Sequence, residues 1–411
     1  MMDVKILNKI SQNPKGQIFI GGSKSESNRL LILNQLFNQK IEIKNLSDSE
    51  DTEWLQKALE NQNSEIDIHH AGTAMRFLTA YFAIQEGKET ILTGSERMKQ
   101  RPIGVLVDAL NSLSAEISYL EKEGFPPLLI KGKRIEKDFV ELNAGISSQF
   151  ITALMLIAPK LKNGLTIQLN GKITSLPYLL MTVQLLEKVG IKVERNENWL
   201  KIYPKKEIEN QKILVESDWS SASYFYSLAA LSENPEIKIN SFFQNSLQGD
   251  AELIQIYQNH FGVNSQFTGN QITLTKDSRF KIQNLELNLN KTPDIAQTIA
   301  VTCAGLNVKC KLTGLETLSI KETDRLTALK MELRKLGAIA AITSDSFEII
   351  DFEKIKSTPK IKTYNDHRMA MSFAPMCLLT DLEIENPEVV GKSYPEFWED
   401  FQAVTQNFEL S

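Results

Sequence analysis

Cysteine is nearly absent: Cys303, Cys310 and Cys377 are the three in a chain of 411 residues. None stands in a CxxC pair, and all lie in or beside apolar runs. That pattern argues against a disulfide framework and fits reduced thiols. Histidine is also scarce. His69, His70, His260 and His367 lack HExxH or similar spacing, so no metal is expected. No apolar run approaches the roughly 18 residues that a membrane span needs. The start, MMDVKILNKISQNPKG, has no long apolar segment of the kind a signal peptide carries, so a cytoplasmic protein is expected. Neither GxxxxGK[ST] nor GxGxxG occurs, which removes the usual nucleotide loops. Positive charge is not in excess. A formal net charge of −5 argues against bulk nucleic-acid binding, so any basic site must be a local concentration.

The length exceeds what one ordinary core accommodates, and two domains are expected. No low-complexity linker divides them. What does recur is a cluster of small and polar residues followed at once by an apolar stretch with helical spacing. It appears as GGSKSESNRLLILNQLF from Gly21, HAGTAMRFLTAYFA from His70, GISSQFITALMLIA from Gly145 and SDWSSASYFYSLAAL from Ser217. It returns as TPDIAQTIAVTCAG from Thr292, KETDRLTALKMELRKLG from Lys321 and NDHRMAMSFAPM from Asn365. Short β-rich stretches lie between them, among them KIEIKNL, LTIQLN, IKIN, QITLT and FEII.

Each cluster carries Ser, Thr or Asp where an N-cap would sit, so each reads as a helix start. Most also place Lys, Arg, Ser or Gln in the first turn or so, although the positive end of a helix dipole favours acids there. Seven unrelated surface helices with scattered charge would be the plain alternative. Converging helix starts that share bound anions explain the whole set better.

Single motifs weigh less. Lys24, Ser25, Ser27 and Arg29 in GGSKSESNR suit an anion, but a solvated turn looks similar. Arg97 and Arg101 in ERMKQRPIG sit in a tight segment ended by Pro102, where a surface loop is the plainer reading. In KETDR, Lys321 and Arg325 are four apart and are expected on one helix face, with Glu322 and Asp324 beside it. In NDHRMAM, Asp366 is expected to cap, and Arg368 precedes a stretch apolar enough to be buried, where it needs an anion or a carboxylate. Asp294, after Thr292 and Pro293, is either an N-cap or a carboxylate set among cations to act as a base.

Together and in this order, from GGSKSESNR to GKSYPEFW, these segments resemble the 5-enolpyruvylshikimate-3-phosphate synthase family of enolpyruvyl transferases. The resemblance implies an α/β fold of two similar domains, each of three βαβαββ units with the helices inside. The first domain would join residues 1–18 to 217–411 and the second would span 19–216, with the active site in the cleft between them. It places shikimate 3-phosphate on Ser25, Arg29, Ser147, Ser148, Gln149, Ser175, Tyr178, Asp294 and Lys321. It places phosphoenolpyruvate on Lys24, Gly72, Arg101, Gln149, Arg325, Arg368 and Lys392. Asp294 would take the proton of the attacking hydroxyl, with Glu322 and Lys24 as proton donors or relays. No metal, organic cofactor, nucleic acid or membrane is implied, and a monomer is expected.

Three positions depart from the family pattern. His70 stands where Asn is usual, Phe77 replaces a proline, and Thr317 replaces an Asn before KETDR. The nearest rival is the sister transferase acting on UDP-N-acetylglucosamine, but no cysteine precedes Cys303 to serve as its reactive loop thiol. A non-catalytic phosphate-binding module would need neither Asp294 nor Glu322. An RNA-end-processing enzyme fits poorly with the negative net charge.

Overall fold

A computed structural model describes residues 3–10, 13–143, 145, 147–171, 176–355 and 357–405. The chain divides into two compact units, the first Met1–Gly21 with Glu216–Ser411, the second Gly22–Val215.

The second unit holds helices α1 (Lys24–Leu36), α2 (Glu50–Glu60), α3 (Gly72–Ala83), α4 (Gly104–Ser112), α5 (Ser148–Ile157) and α6 (Leu176–Lys188). The first holds α7 (Trp219–Leu231), α8 (Leu253–Phe261), α9 (Ala296–Gly305), α10 (Arg325–Lys335), α11 (His367–Phe373) and α12 (Phe397–Thr405).

Among the described residues one sheet pattern occurs four times. In the second unit, Glu65–Asp67 pairs parallel with Glu89–Thr93, which pairs antiparallel with Leu128–Lys131, itself antiparallel to Glu116–Tyr119. The helix α3 bridges the first two strands and α4 follows, so the order along the chain is βαβαββ. The strands from Phe139 to Ile202 repeat it with α5 and α6. In the first unit it is repeated by Lys15–Ile18 with the strands around α7 and α8, and by Leu285–Asn288 with those around α9 and α10. Shorter sheets complete each unit: Gln211–Leu214 with Ile41–Lys44, and Val4–Leu7 with Leu382–Glu385 and Lys360–Ile361.

The helices α3, α5, α7, α9 and α11 are buried along nearly their whole length. That is what apolar residues on every side of a helix demand. Their polar residues must then find partners inside. In the first unit Ser223 Oγ lies 3.1 Å from Thr298 Oγ1, which is 3.2 Å from Ser372 Oγ, so hydroxyls join α7, α9 and α11. Thr302 on α9 adds a donor to Ser227 on α7 at 2.8 Å.

Four of the expected helix starts are capped by a side chain, whereas α1, after Ser23, and α3, after Ala71, have no side-chain cap bond. Asp218 accepts from Ser221 N, Ser147 from Gln149 N, Asp324 from Thr327 N and Asp366 from Arg368 N. In the KETDR segment, however, the cap is Asp324 and the helix begins only at Arg325. Lys321 and Glu322 therefore precede α10, and Lys321 does not share a helix face with Arg325 as the four-residue spacing suggested. Asp294 is not an N-cap either: Pro293–Ile295 form a 3-10 turn before α9, and its carboxylate turns to cations instead.

The turn that delivers Asp294 is fixed by a neighbouring glycine. Leu289 N donates to Thr313 O at 2.8 Å and Thr292 N to Leu289 O at 2.9 Å. Gly314 follows with φ 75°, and a Cβ there would lie 2.6 Å from Asn290 N. Both the left-handed backbone and the backbone contact exclude a side chain. Gly314→Ala is expected to lower the urea midpoint by the equivalent of about 2 kcal/mol or more; an unchanged midpoint would show that the turn yields freely.

Candidate active site

In the second unit, Lys24 opens α1 and its Nζ lies 3.3 Å from Asp51 Oδ2. Asp51 is buried near the start of α2. His70 faces the same acids, its Nε2 3.1 Å from Glu50 Oε2 and 3.9 Å from Asp51 Oδ1.

Gly72 begins α3 under the guanidinium of Arg101, with which a Cβ at that position would collide. The buried Arg76 clamps the two together. Its Nη1 donates to Gly72 O at 3.0 Å and its Nη2 to Pro102 O at 3.1 Å. At the start of α5, Ser147 caps, Ser148 is buried and Gln149 Nε2 donates to Thr73 Oγ1 at 3.2 Å, so the SSQ residues lie beside the α3 start.

Arg29 lies deeper. Nε donates to Thr182 Oγ1 at 2.9 Å, Nη1 to Ser25 O at 2.6 Å, and Nη2 to Tyr178 O at 3.3 Å and Thr152 Oγ1 at 3.5 Å. All of these oxygens are neutral. Desolvation accordingly lowers its pKa to about 10. The ring of Phe77 lies 5.6 Å from its guanidinium carbon, so the aromatic departure from the family pattern supplies a cation–π contact. Ser25 and Tyr178 thus meet Arg29 through their carbonyls. Ser175 falls outside the described residues.

In the first unit the cations come with their own acids. Arg325 is buried, and Nε donates to Asp366 Oδ2 at 2.7 Å, Nη1 to Asp294 Oδ1 at 3.1 Å and Nη2 to Glu322 Oε2 at 2.8 Å. Burial lowers its pKa, but Asp366, Glu322 and Asp294 outweigh that and raise it above the ordinary value. Asp294 also lies 3.4 Å from Lys321 Nζ and 3.5 Å from Arg368 Nη2. Arg368 Nη1 donates to the Asp294 carbonyl at 3.1 Å, and Lys392 Nζ lies 3.7 Å from Glu322 Oε1. The structure therefore brings together Asp294, Lys321, Glu322, Arg325, Arg368 and Lys392.

Sequence reasoning missed four partners. Asp51 was hidden in the acidic run SDSEDTEW, and Asp366 looked like a cap alone, though it both caps α11 and holds Arg325. Asp250 and Ser220 gave no signal. Asp250 accepts from Ser220 Oγ and, at 2.5 Å, from Thr292 Oγ1, while Ser220 Oγ lies 3.3 Å from Arg368 Nη2. Among the described residues no cluster of His, Cys, Asp and Glu has the makings of a metal site, and no helix is long and apolar enough to cross a membrane.

The family model described as EPSP synthase (3-phosphoshikimate 1-carboxyvinyltransferase) matches residues 55–401. A Bacteroides fragilis (strain YCH46) protein named 3-phosphoshikimate 1-carboxyvinyltransferase is 44% identical over 391 residues, covering 94% of this chain and 95% of its own. This chain belongs to the EPSP synthase family. A protein of the same name from Shewanella halifaxensis (strain HAW-EB4) is 35% identical over 418 residues, 95% of this chain and 96% of its own. The solved EPSP synthase of Acinetobacter baumannii, 21% identical, has the same fold, with a TM-score of 0.76 over 98% of each chain.

Within this EPSP synthase family member, Asp250 makes a testable contribution to stability. Burial, with Asp294 second, pushes its carboxyl up to about 6 from an ordinary 3.8. The folded state then holds a proton that the unfolded chain releases between about pH 4 and 6, so stability falls as pH rises through that window. Asp250→Asn removes this contribution. Denaturant titrations should show the wild type losing about 1 kcal/mol more per pH unit than the variant there; parallel slopes would exclude Asp250 as the titrating group.

Proposed function

We infer that the protein transfers the enolpyruvyl group of phosphoenolpyruvate to the 5-hydroxyl of shikimate 3-phosphate, releasing phosphate. Family membership carries the reaction. The observation that carries the site is a carboxylate, Asp294, within 3.5 Å of Lys321, Arg325 and Arg368. A docking module for phosphates gains nothing from an acid that neutralises its cations, whereas a proton-transfer enzyme needs one.

The reaction is an addition followed by an elimination. The 5-hydroxyl oxygen bonds to C2 of phosphoenolpyruvate while C3 gains a proton, giving a tetrahedral ketal phosphate. The C2–O bond to phosphate then breaks and C3 loses a proton, leaving the enol ether. Asp294 is the proposed base for the hydroxyl proton. Glu322, between Arg325 and Lys392, and Lys24, against Asp51, are the proposed donors or relays at C3. A group held by fixed partners needs little reorganisation as charge moves, which is where such sites gain rate.

The remaining assignments follow ligand chemistry. Arg101, Arg325, Arg368 and Lys392, with Lys24, Gln149 and the Gly72 helix start, are proposed for phosphoenolpyruvate; arginine forks suit its carboxylate and phosphate. Ser25, Arg29, Ser147, Ser148, Gln149, Ser175, Tyr178, Asp294 and Lys321 are proposed for shikimate 3-phosphate. Arg29 is buried beside Ser25 and Tyr178 and its hydrogen bonds go to neutral oxygens, with Glu26 the nearby carboxylate that offsets part of its charge.

Mixing the protein with shikimate 3-phosphate and phosphoenolpyruvate should release inorganic phosphate. Release only with UDP-N-acetylglucosamine in place of shikimate 3-phosphate, or no release with either, would refute the reading. Asp294→Asn should slow turnover at least about a hundredfold while equilibrium binding of both substrates persists, and near-normal turnover would remove Asp294 from the chemistry.

A further inference from the structure

Two consecutive residues with side chains, Tyr364 and Asn365, sit in the left-handed region at φ 55° each. L-residues adopt it at a cost and keep it only where the surroundings enforce it. Immediately after them come Asp366, the cap of α11 and partner of Arg325, and then Arg368, the partner of Asp294. Whatever holds the left-handed pair therefore sets where these two charged groups stand.

The holding group is Glu332, wholly buried on α10. Its Oε1 accepts from Tyr364 Oη at 2.7 Å and its Oε2 from Lys362 N at 2.9 Å, so one carboxylate brackets Thr363 on both sides. Lys335 Nζ, 2.6 Å away, neutralises it. Asp366 N then donates to Thr363 O at 2.9 Å, closing the turn. Glu332 lies two helical turns from Arg325, hence on the same side of α10. One rigid helix thus grips the 362–366 segment twice, at its backbone through Glu332 and at the Asp366 carboxylate through Arg325.

We propose that Glu332 is a positioning residue for enolpyruvyl transfer, fixing the Tyr364–Asn365 turn so that Asp366 and Arg368 are set against Arg325 and Asp294. It touches no reacting atom. This rests on the reading of Arg368 as a ligand of phosphoenolpyruvate. A buried pair that merely stabilised the fold would also accept from Lys335, but it would leave substrate kinetics unchanged.

The test uses the full chain with Tyr364→Phe, Glu332→Gln and the double variant, and Arg368→Gln in parallel. Tyr364→Phe removes one hydroxyl and is the milder change if Glu332→Gln folds poorly. A positioning role predicts that Tyr364→Phe raises KM for phosphoenolpyruvate about tenfold and leaves KM for shikimate 3-phosphate within about twofold. Adding Tyr364→Phe to Glu332→Gln should cost less than the two changes summed, because both act on the Glu332–Tyr364 bond. If Arg368→Gln leaves KM for phosphoenolpyruvate unchanged, the donor-site reading has failed. If Arg368→Gln raises it while Tyr364→Phe leaves it within twofold of the wild type, whatever the thermal midpoint does, Glu332 is structural only and the proposal is overturned.

Discussion

The first unit depends on one buried cation. Removing a guanidinium from water costs several kcal/mol, and only good geometry with enough opposite charge recovers it. Arg325 meets that demand with three carboxylates from three places in the chain: Asp294 ahead of α9, Glu322 ahead of α10 and Asp366 at the head of α11. Each is bound at 3.1 Å or less, and each belongs to a segment that would otherwise be an independent helix start. The arginine is thus the fastener of those three segments. Hydroxyl contacts along α7, α9 and α11 keep the bodies of those helices together below it.

The second unit handles its buried Arg29 differently. Arg29 is met by hydroxyls, carbonyls and the face of Phe77, with no carboxylate among its hydrogen-bond acceptors. The consequence shows in the opposite directions of the two shifts: burial depresses Arg29, while neighbouring acids raise Arg325. An arginine whose charge is already neutralised organises its surroundings. One whose charge is met only in part, as that of Arg29 is by Glu26, keeps more attraction for an arriving anion. The two therefore suit different tasks, although the sequence presents them as similar basic residues near helix starts.

That difference marks the limit of what the sequence made legible. Caps are local, so Asp218, Ser147 and Asp366 could be read from a few neighbours, and the strands from short β-rich stretches. The placement of Lys321 was misread because spacing shows which residues would share a helix face, not where the helix begins; Asp324 is the cap, so α10 starts only at Arg325. The acids were harder still. Asp51 meets Lys24 across 27 positions, Asp366 meets Arg325 across 41, and Arg368 meets Ser220 across 148. Nothing local distinguishes such a carboxylate from a solvated one. The family resemblance named the basic residues together with Asp294 and Glu322, while the folded chain adds Asp51, Asp250 and Asp366 beside them.

Those acids change what converging helix starts mean. Cations at the positive ends of helices are unfavourable alone, and a bound anion is not their only relief: Asp294, Glu322 and Asp366 already provide it. On the proposed reading, phosphoenolpyruvate then enters a cluster whose charges are largely balanced. Its added negative charge disfavours the ionised forms of the nearby carboxylates and raises their proton affinity. Glu322 and Asp294, the proposed proton carriers, would both feel that charge, since both are bound to Arg325. Resident acids that weaken anion binding in the ground state are in this way matched to proton transfer once the anion has arrived, a use of binding energy that a purely cationic pocket could not make.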